Sequence, residues 1–367
     1  MKIEPIGFNR ERASELINSK GLDGVLLGAP ENVYYATGCP TLPGTGNPIL
    51  FALRNVVPSF AFIDKEGRTT LFTWFGVTFG VDFSSEVIPY ADAQAAVEEL
   101  KSFLKDKKRV GIDYGVPIYA VNAIKEIGGE VEIADKIMIQ LRVIKSQKEI
   151  ELLQKSARIA QDVLTNVYSV LRKGISRKDL MQQVRSLMAQ FGASGVDHLT
   201  IAFGPSNPEI ALEELLEENQ IVTVDIGAVY EGYVSDIRRL FYTGETVPEE
   251  DRKLFETIKS IIDELQDSIN PGLSFSQVYD LATKLYEKNG LEPLFASAGH
   301  SIGLVTEEAH FSPGNELKVS ENMVVNIELY APNSEGIMIG DEETYLVTEK
   351  GLKKITDLER KMFTVKI

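Results

Sequence analysis

Cysteine and histidine are scarce in this chain. Its 367 residues include one cysteine, Cys39, and three histidines, His198, His300 and His310. A single cysteine excludes an intrachain disulfide and leaves no basis for a thiolate-rich zinc site. Any metal site must therefore be built mostly from carboxylates. Positive charge is also in short supply, with 38 Lys and Arg against 54 Asp and Glu and a net charge of −16. Such a surface repels phosphate backbones and anionic lipid, which argues against nucleic-acid and membrane partners. No stretch reaches the ~18 apolar residues that a spanning helix needs. The opening segment MKIEPIGFNRERASEL has no apolar core and no small-residue cleavage site, so the expected compartment is the cytoplasm.

What is present is an ordinary globular composition, 44% hydrophobic and 25% charged. At roughly 150 residues per domain the length predicts two domains. The first part alternates helix and strand patterns. Asn9 can cap a helix carrying Ala13, Leu16 and Ile17 and ending at Gly21. GVLLG, PSFAFID, RTTLFTW and RVGIDYG read as strands, with KEG as the turn between the middle pair. Ala93, Ala96, Val97, Leu100, Phe103 and Leu104 form a helical stripe. This α/β part carries no catalytic constellation. Its one conspicuous loop, TLPGTGNP, reads as a surface turn, with a lid near an active site as the alternative. A long helix opens the second part, its apolar face running from Ile150 through Leu153, Ala157, Ala160, Leu164 and Val167 to Leu171, with a stop at Gly174.

The second part repeats itself. KGIS at 173–176 is followed by Leu180, Val184, Leu187 and Gly192, and PGLS at 271–274 by Val278, Ala282, Leu285 and Gly290, every pair offset by 98. Each copy predicts a glycine turn, a serine N-cap, an amphipathic helix and a glycine stop. Strands follow: ENQIVTVDIG from Glu218 and ENMVVNIELY from Glu321, offset by 103, so that Asp225 matches Glu328. With a period of two, Val222, Val224 and Ile226 face one way, and Thr223 and Asp225 the other. Val325, Ile327 and Leu329 likewise oppose Asn326 and Glu328. A carboxylate on a buried sheet face needs a cation or strong hydrogen bonds. Two solvated faces with surface acids are the alternative that the pattern leaves open. Asp236, eleven residues after Asp225 with a glycine turn between them, suits a hairpin that brings both aspartates together. Glu342 lies on the strand returning after Glu328. His300 stands among small neighbours in AGHSIGL. One imidazole with four carboxylates is an oxygen-rich set that favours Mn²⁺, Co²⁺, Fe²⁺ or Zn²⁺ in a two-ion site.

The segments DIGAVYEGYVSD, GHSIGL, NMVVNIE and EETYLVTEKG, in this order and spacing, resemble the pita-bread metallopeptidase family that includes prolidase, aminopeptidase P and methionine aminopeptidase. LRVIKSQKEIELLQKSARIA resembles the entry helix of its Xaa-Pro members, and GVLLGAPENVYYATG their N-terminal domain. The resemblance implies an α/β (α+β) protein with a creatinase-like N-terminal domain over 1–140 and a pita-bread catalytic domain over 141–367. It further implies two divalent metal ions on Asp225, Asp236, His300, Glu328 and Glu342, with Asp236 and Glu342 bridging. Glu328 would also move a proton as general base and then acid. The implied activity is hydrolysis of Xaa-Pro bonds in short peptides, dipeptides above all, by a homodimer.

Two positions depart from the family pattern. Where relatives carry a second histidine seven residues after the first, this chain has Glu307, with His310, a candidate substrate-binding residue, three residues on. Where a further histidine follows an SGPN-like segment, FGPSNPEI offers Glu209. An ionised glutamate accepts hydrogen bonds but donates none. Burial among other acids could keep these residues protonated, or their charge could receive a cationic substrate group. IRRL in place of a threonine-rich ending puts Arg238 on the strand face of Asp236, where it could bind a substrate carboxylate, a metal-bound acid or a surface partner. These departures keep two alternatives in play: a non-peptidase enzyme on the same fold, such as a creatinase-like amidine hydrolase or a lyase, and a binding protein with a vestigial site.

Overall fold

Asn9 accepts a hydrogen bond from the Arg12 amide at 2.9 Å and opens the helix Arg10–Ser19, which buries Ala13 and Ile17. In this computed structural model, which describes residues 2–207, 210 and 213–367, the chain divides into two compact units, Met1–Arg142 and Val143–Ile367. Glu209 lies outside the described residues.

The first unit is built on a six-stranded mixed sheet. Its strand order is Glu86–Tyr90, Thr69–Trp74, Phe60–Asp64, Gly24–Leu27, Arg109–Ile112 and Glu130–Ile133. The helix Ala93–Leu104, capped by Asp92, lays Ala96, Leu100 and Leu104 into a core with Leu26, Phe60, Phe62, Phe72 and Val110. Cys39 is buried here, and burial pushes its thiol up to about 12, so it is held as an inert thiol. The TLPGTGNP segment runs through turns, with Thr41 and Leu42 buried and its second half exposed.

The second unit opens on the helix Gln147–Asn166. Ser146 and Glu149 form a reciprocal capping box at its start. The helix begins three residues before the first apolar position of its stripe, because the cap fixes its end. It passes into a 3₁₀ turn, Val167–Ser169, ahead of Gly174. The internal repeat is plain in three dimensions. Arg177–Gln190 and Phe275–Lys288 are both 14-residue helices capped by Ser176 and Ser274. Asn219 and Asn322, offset like the strands they precede, both take the left-handed conformation, with φ of 61° and 67°. Asparagine tolerates this better than most residues because its short side chain can bond locally.

Each repeat builds a five-stranded sheet, the first completed by the C-terminal strand Phe363–Thr364. In the first, Ile221–Tyr230 pairs antiparallel with Gly195–Phe203 on one side and Ile237–Tyr242 on the other. In the second, Val324–Pro332 lies between Gly299–Ser301 and Met338–Thr348. Val222, Val224 and Ile226 enter a core with Ile159, Val163, Leu180 and Val184 from the helices. The alternation therefore works as its period dictates, with apolar residues toward the helices and Thr223 and Asp225 toward the opposite face.

That opposite face is kept in place by charges on the helix side. Arg238 and Arg239 are neighbours on one strand and so point to opposite faces, as do Asp341, Glu342 and Glu343 in turn. Arg239 is fully buried. Its guanidinium donates to Asp341 at 3.3 Å, to Glu343 at 3.0 Å and to the Glu342 carbonyl at 2.8 Å. Lys354 approaches Glu343 at 2.7 Å, and Arg360 also pairs with Asp341. These contacts tie a strand of the first sheet to a strand of the second. Removing one member leaves buried charge unpaired, at a cost of about 3–5 kcal/mol. Arg239→Met should therefore lower the unfolding free energy by roughly that amount in denaturant titrations. A loss smaller than about 1 kcal/mol, the range of an exposed pair, would contradict this role.

Candidate metal centre

The acids on the inner faces converge. Asp225 projects from the strand Ile221–Tyr230. Asp236 follows a turn that pairs Tyr233–Val234 back onto that strand, and it stands just before Ile237–Tyr242. Glu328 and Glu342 are directly opposite one another on adjacent antiparallel strands. Like charges so placed repel. His300 enters from the short strand Gly299–Ser301, next to Asn326. Gly299 makes this approach possible: its φ is +134°, and a Cβ there would lie 2.1 Å from the Asn326 carbonyl oxygen.

Asp236 is the shared member. One of its oxygens lies 3.4 Å from His300 Nε2, and the other 3.1 Å from Nε2 of His198. The same His198 nitrogen is 3.3 Å from Asp225 Oδ1. Two groups of potential ligand atoms result, each gathered within 4.8 Å: His198, Asp225 and Asp236, and Asp236, His300 and Glu342. The backbone carbonyl of Asp236 accepts hydrogen bonds from Asn326 Nδ2 at 3.1 Å and from the Thr344 hydroxyl at 3.2 Å. Asn326 also donates to Glu342 Oε1 at 2.6 Å. Glu342 Oε2 is buried without a hydrogen-bond partner.

The electrostatics follow from this crowding. Burial, together with Asp236, Glu328 and Asp225, drives the Glu342 carboxyl well above its usual 4.5. Burial and Asp225 push Glu328 up to about 7, against the opposing pull of Arg238. Burial resists charge on both imidazoles, but the carboxylates prevail. His198 is raised well above 6.5 by Asp197, Asp225 and Asp236, and His300 is raised by Asp236. Burial acts against the charge of Asp236 as well, yet His198 and His300 hold it below the usual aspartate value. A buried carboxylate oxygen with no donor, facing acids that cannot all stay ionised, fits divalent cations: hard oxygen donors with a minority of imidazole.

Beside these groups lies a cavity of about 560 Å³, lined by Asp225, Glu328, Arg238, Thr200, Thr223 and Tyr330 among others. Arg238 Nη1 is 3.7 Å from Glu328, Nη2 donates to the Met338 carbonyl at 2.9 Å, and Nε is buried without a partner. Glu307 and His310 stand 3.7 Å apart with side chains 58% and 46% exposed, so neither is part of the buried cluster. His310 pairs with His300 across the strand edge. His198 belongs to none of the motifs that carry the family resemblance. The signal for it is the alternation in HLTIAF, where Leu199, Ile201 and Phe203 enter the core and leave His198 on the face of Thr200 and Ala202.

Among the described residues, no helix is long and apolar enough to cross a membrane. Residues 151–349 match the model of metallopeptidase family M24, and residues 10–144 match that of the creatinase/prolidase N-terminal domain. The chain is 26% identical to a Xaa-Pro dipeptidase of Pyrococcus horikoshii over 358 residues, covering 95% of this chain and 96% of that one. It is 25% identical to a Xaa-Pro dipeptidase of Pyrococcus furiosus, covering 96% and 98%. Among solved structures, a prolidase from Pyrococcus horikoshii superimposes with a TM-score of 0.82 at 24% identity, covering 95% and 98%. The acidic cluster on paired sheets, the internal repeat and these matches agree: the chain belongs to metallopeptidase family M24, with a creatinase/prolidase-type domain ahead of its catalytic domain.

Proposed function

We propose that this protein is a metal-dependent exopeptidase that hydrolyses Xaa-Pro bonds, a prolidase-like enzyme acting on dipeptides. The observation that carries this reading is the convergence of Asp225, Asp236, His300, Glu328 and Glu342 beside a cavity large enough for a short peptide. Relatives that align along almost the whole chain are named Xaa-Pro dipeptidases. In this reading the five residues would hold two divalent ions of the Mn²⁺, Co²⁺, Zn²⁺ or Fe²⁺ class, with Asp236 common to both groups of ligand atoms. Such ions, when bound, lower the pKa of water and polarise a carbonyl.

The side chains around them handle the substrate. Glu328 is the acid of the second sheet that borders the cavity, so it is placed to pass a proton to the leaving proline nitrogen. Arg238 offers a guanidinium with an unpartnered Nε to the carboxylate at the substrate's C-terminus. Glu307, whose charge is felt at His300 and Tyr330, is suited to receive a cationic amino end. Glu209 is assigned to the same task from the sequence alone.

A substrate panel tests these roles together. With Mn²⁺ or Co²⁺ added, the protein should release free proline from Xaa-Pro dipeptides, and EDTA should abolish the release. Arg238→Met should lower kcat/KM for the dipeptide by about 10- to 100-fold, the worth of a hydrogen bond to a charged group. Its effect on the dipeptide's C-terminal amide should be much smaller. If no dipeptide or tripeptide is cleaved by metal-loaded protein, the reading fails. An equal loss on acid and amide would remove Arg238 from carboxylate binding.

The raised pKa values carry a second prediction. Glu328, Glu342, His198 and His300 are all raised in the folded chain. Each therefore contributes stability below its unfolded value, 4.5 for Glu and 6.5 for His, that is lost as pH climbs through the folded value. Asp236 is lowered, so its contribution is lost only as pH falls below 3.8. In EDTA, Tm should fall between pH 5 and pH 8, and saturating Mn²⁺ should flatten that fall. A Tm in EDTA that rises across the same interval would contradict the electrostatic account.

A further inference from the structure

His198 is built into the centre by features of its own strand. In the pairing of Gly195–Phe203 with Ile221–Tyr230, Leu199 lies opposite Ile226 and Val196 opposite Ala228. Asp197 and His198 therefore share the space facing Gly227 alone, a β-bulge of two residues against one. Bulges of this kind re-aim side chains beside functional sites. A Cβ at Gly227 would lie 2.5 Å from His198 Nδ1 and 2.7 Å from the Ser235 carbonyl oxygen, so glycine lets both the imidazole and the neighbouring backbone approach. Ile226 and Ala228 on either side are fully buried in the core.

The ring is also oriented from behind. Its Nδ1 lies 3.0 Å from Asp197 Oδ2, an oxygen that also accepts a hydrogen bond from the Thr306 hydroxyl. A carboxylate on Nδ1 places the proton there and leaves the Nε2 lone pair free, the arrangement that typically supports a metal-binding histidine. Nε2 then points between Asp236 Oδ1 at 3.1 Å and Asp225 Oδ1 at 3.3 Å. Two ligands about 2.1 Å from one tetrahedral ion lie roughly 3.4 Å apart. His198 is not the repeat mate of His300: His300 faces Asn326, whereas the matching Thr223 faces Ala202.

We propose that His198 Nε2 is a ligand of the cation held by Asp225 and Asp236, with Asp197 as the residue that positions it. The inference rests on the two-ion reading above and adds a member to it. Each ion then has one imidazole, His198 for one and His300 for the other. An imidazole in each set favours transition metals over Mg²⁺ or Ca²⁺.

Calorimetric titration of the chelator-treated protein with Co²⁺, followed by the visible spectrum of the loaded protein, tests this without reference to activity. The wild type should take up two Co²⁺ per chain. His198→Ala should retain one site and lose about 10- to 100-fold in affinity at the other, with a changed Co²⁺ band; Asp197→Asn should weaken the same site. His198→Gln serves if the alanine variant does not fold. Two affinities within twofold of wild type and an unaltered band in the His198 variant would overturn the proposal, leaving His198 as a counter-charge to the aspartates. A wild type that takes up no Co²⁺ would overturn the two-ion reading and the ligand assignment with it.

Discussion

Asp236 carries the constraint on which the rest of this centre depends. Its side chain is buried, and its two oxygens serve different partners, His198 on one side and His300 on the other. One carboxylate thus joins the two repeats. Its backbone carbonyl is fixed by Asn326 and Thr344 from the second repeat, while Asp236 itself stands between two strands of the first. Moving either sheet by an ångström would break one of these contacts. Glu342, Glu328 and Asp225 then add negative charge that burial makes costly, and a pair of cations resolves that cost in the reading proposed here.

The charge on the far face explains how the acids can be held so close. Arg239, Lys354 and Arg360 neutralise Asp341 and Glu343, the immediate neighbours of Glu342. The run DEE is therefore divided by strand alternation. Its middle residue faces the cluster, and its flanking residues face arginine and lysine. The same division separates Arg238, which lines the cavity, from Arg239, which is enclosed. Local pairing on one face makes the repulsion on the other tolerable.

Much of this was legible in the sequence, because the information is periodic. The 98- and 103-residue offsets in the second half recur as paired serine-capped helices and paired strands with left-handed asparagines before them. Period two alone assigned Asp225 and Glu328 to the face opposite the core. The alternation in HLTIAF puts His198 on the face of Thr200, but the aspartates it meets there, Asp225 and Asp236, are known only once the strands are paired. Arg239 is hidden for a related reason: RR and DEE look like surface charge until the two sheets bring them into register. Glu307 occupies a position where relatives carry histidine, and in the structure it keeps company with His310 at an exposed edge rather than with the buried acids.

The central claim is that the buried acids form a seat for two cations sharing Asp236. Anomalous diffraction at the manganese edge from crystals of the Mn²⁺-loaded protein tests it most directly. The account predicts two peaks a few ångströms apart, one bounded by Asp225, Asp236 and His198 and the other by Asp236, His300 and Glu342. A single peak, or peaks only at surface carboxylates, would contradict it.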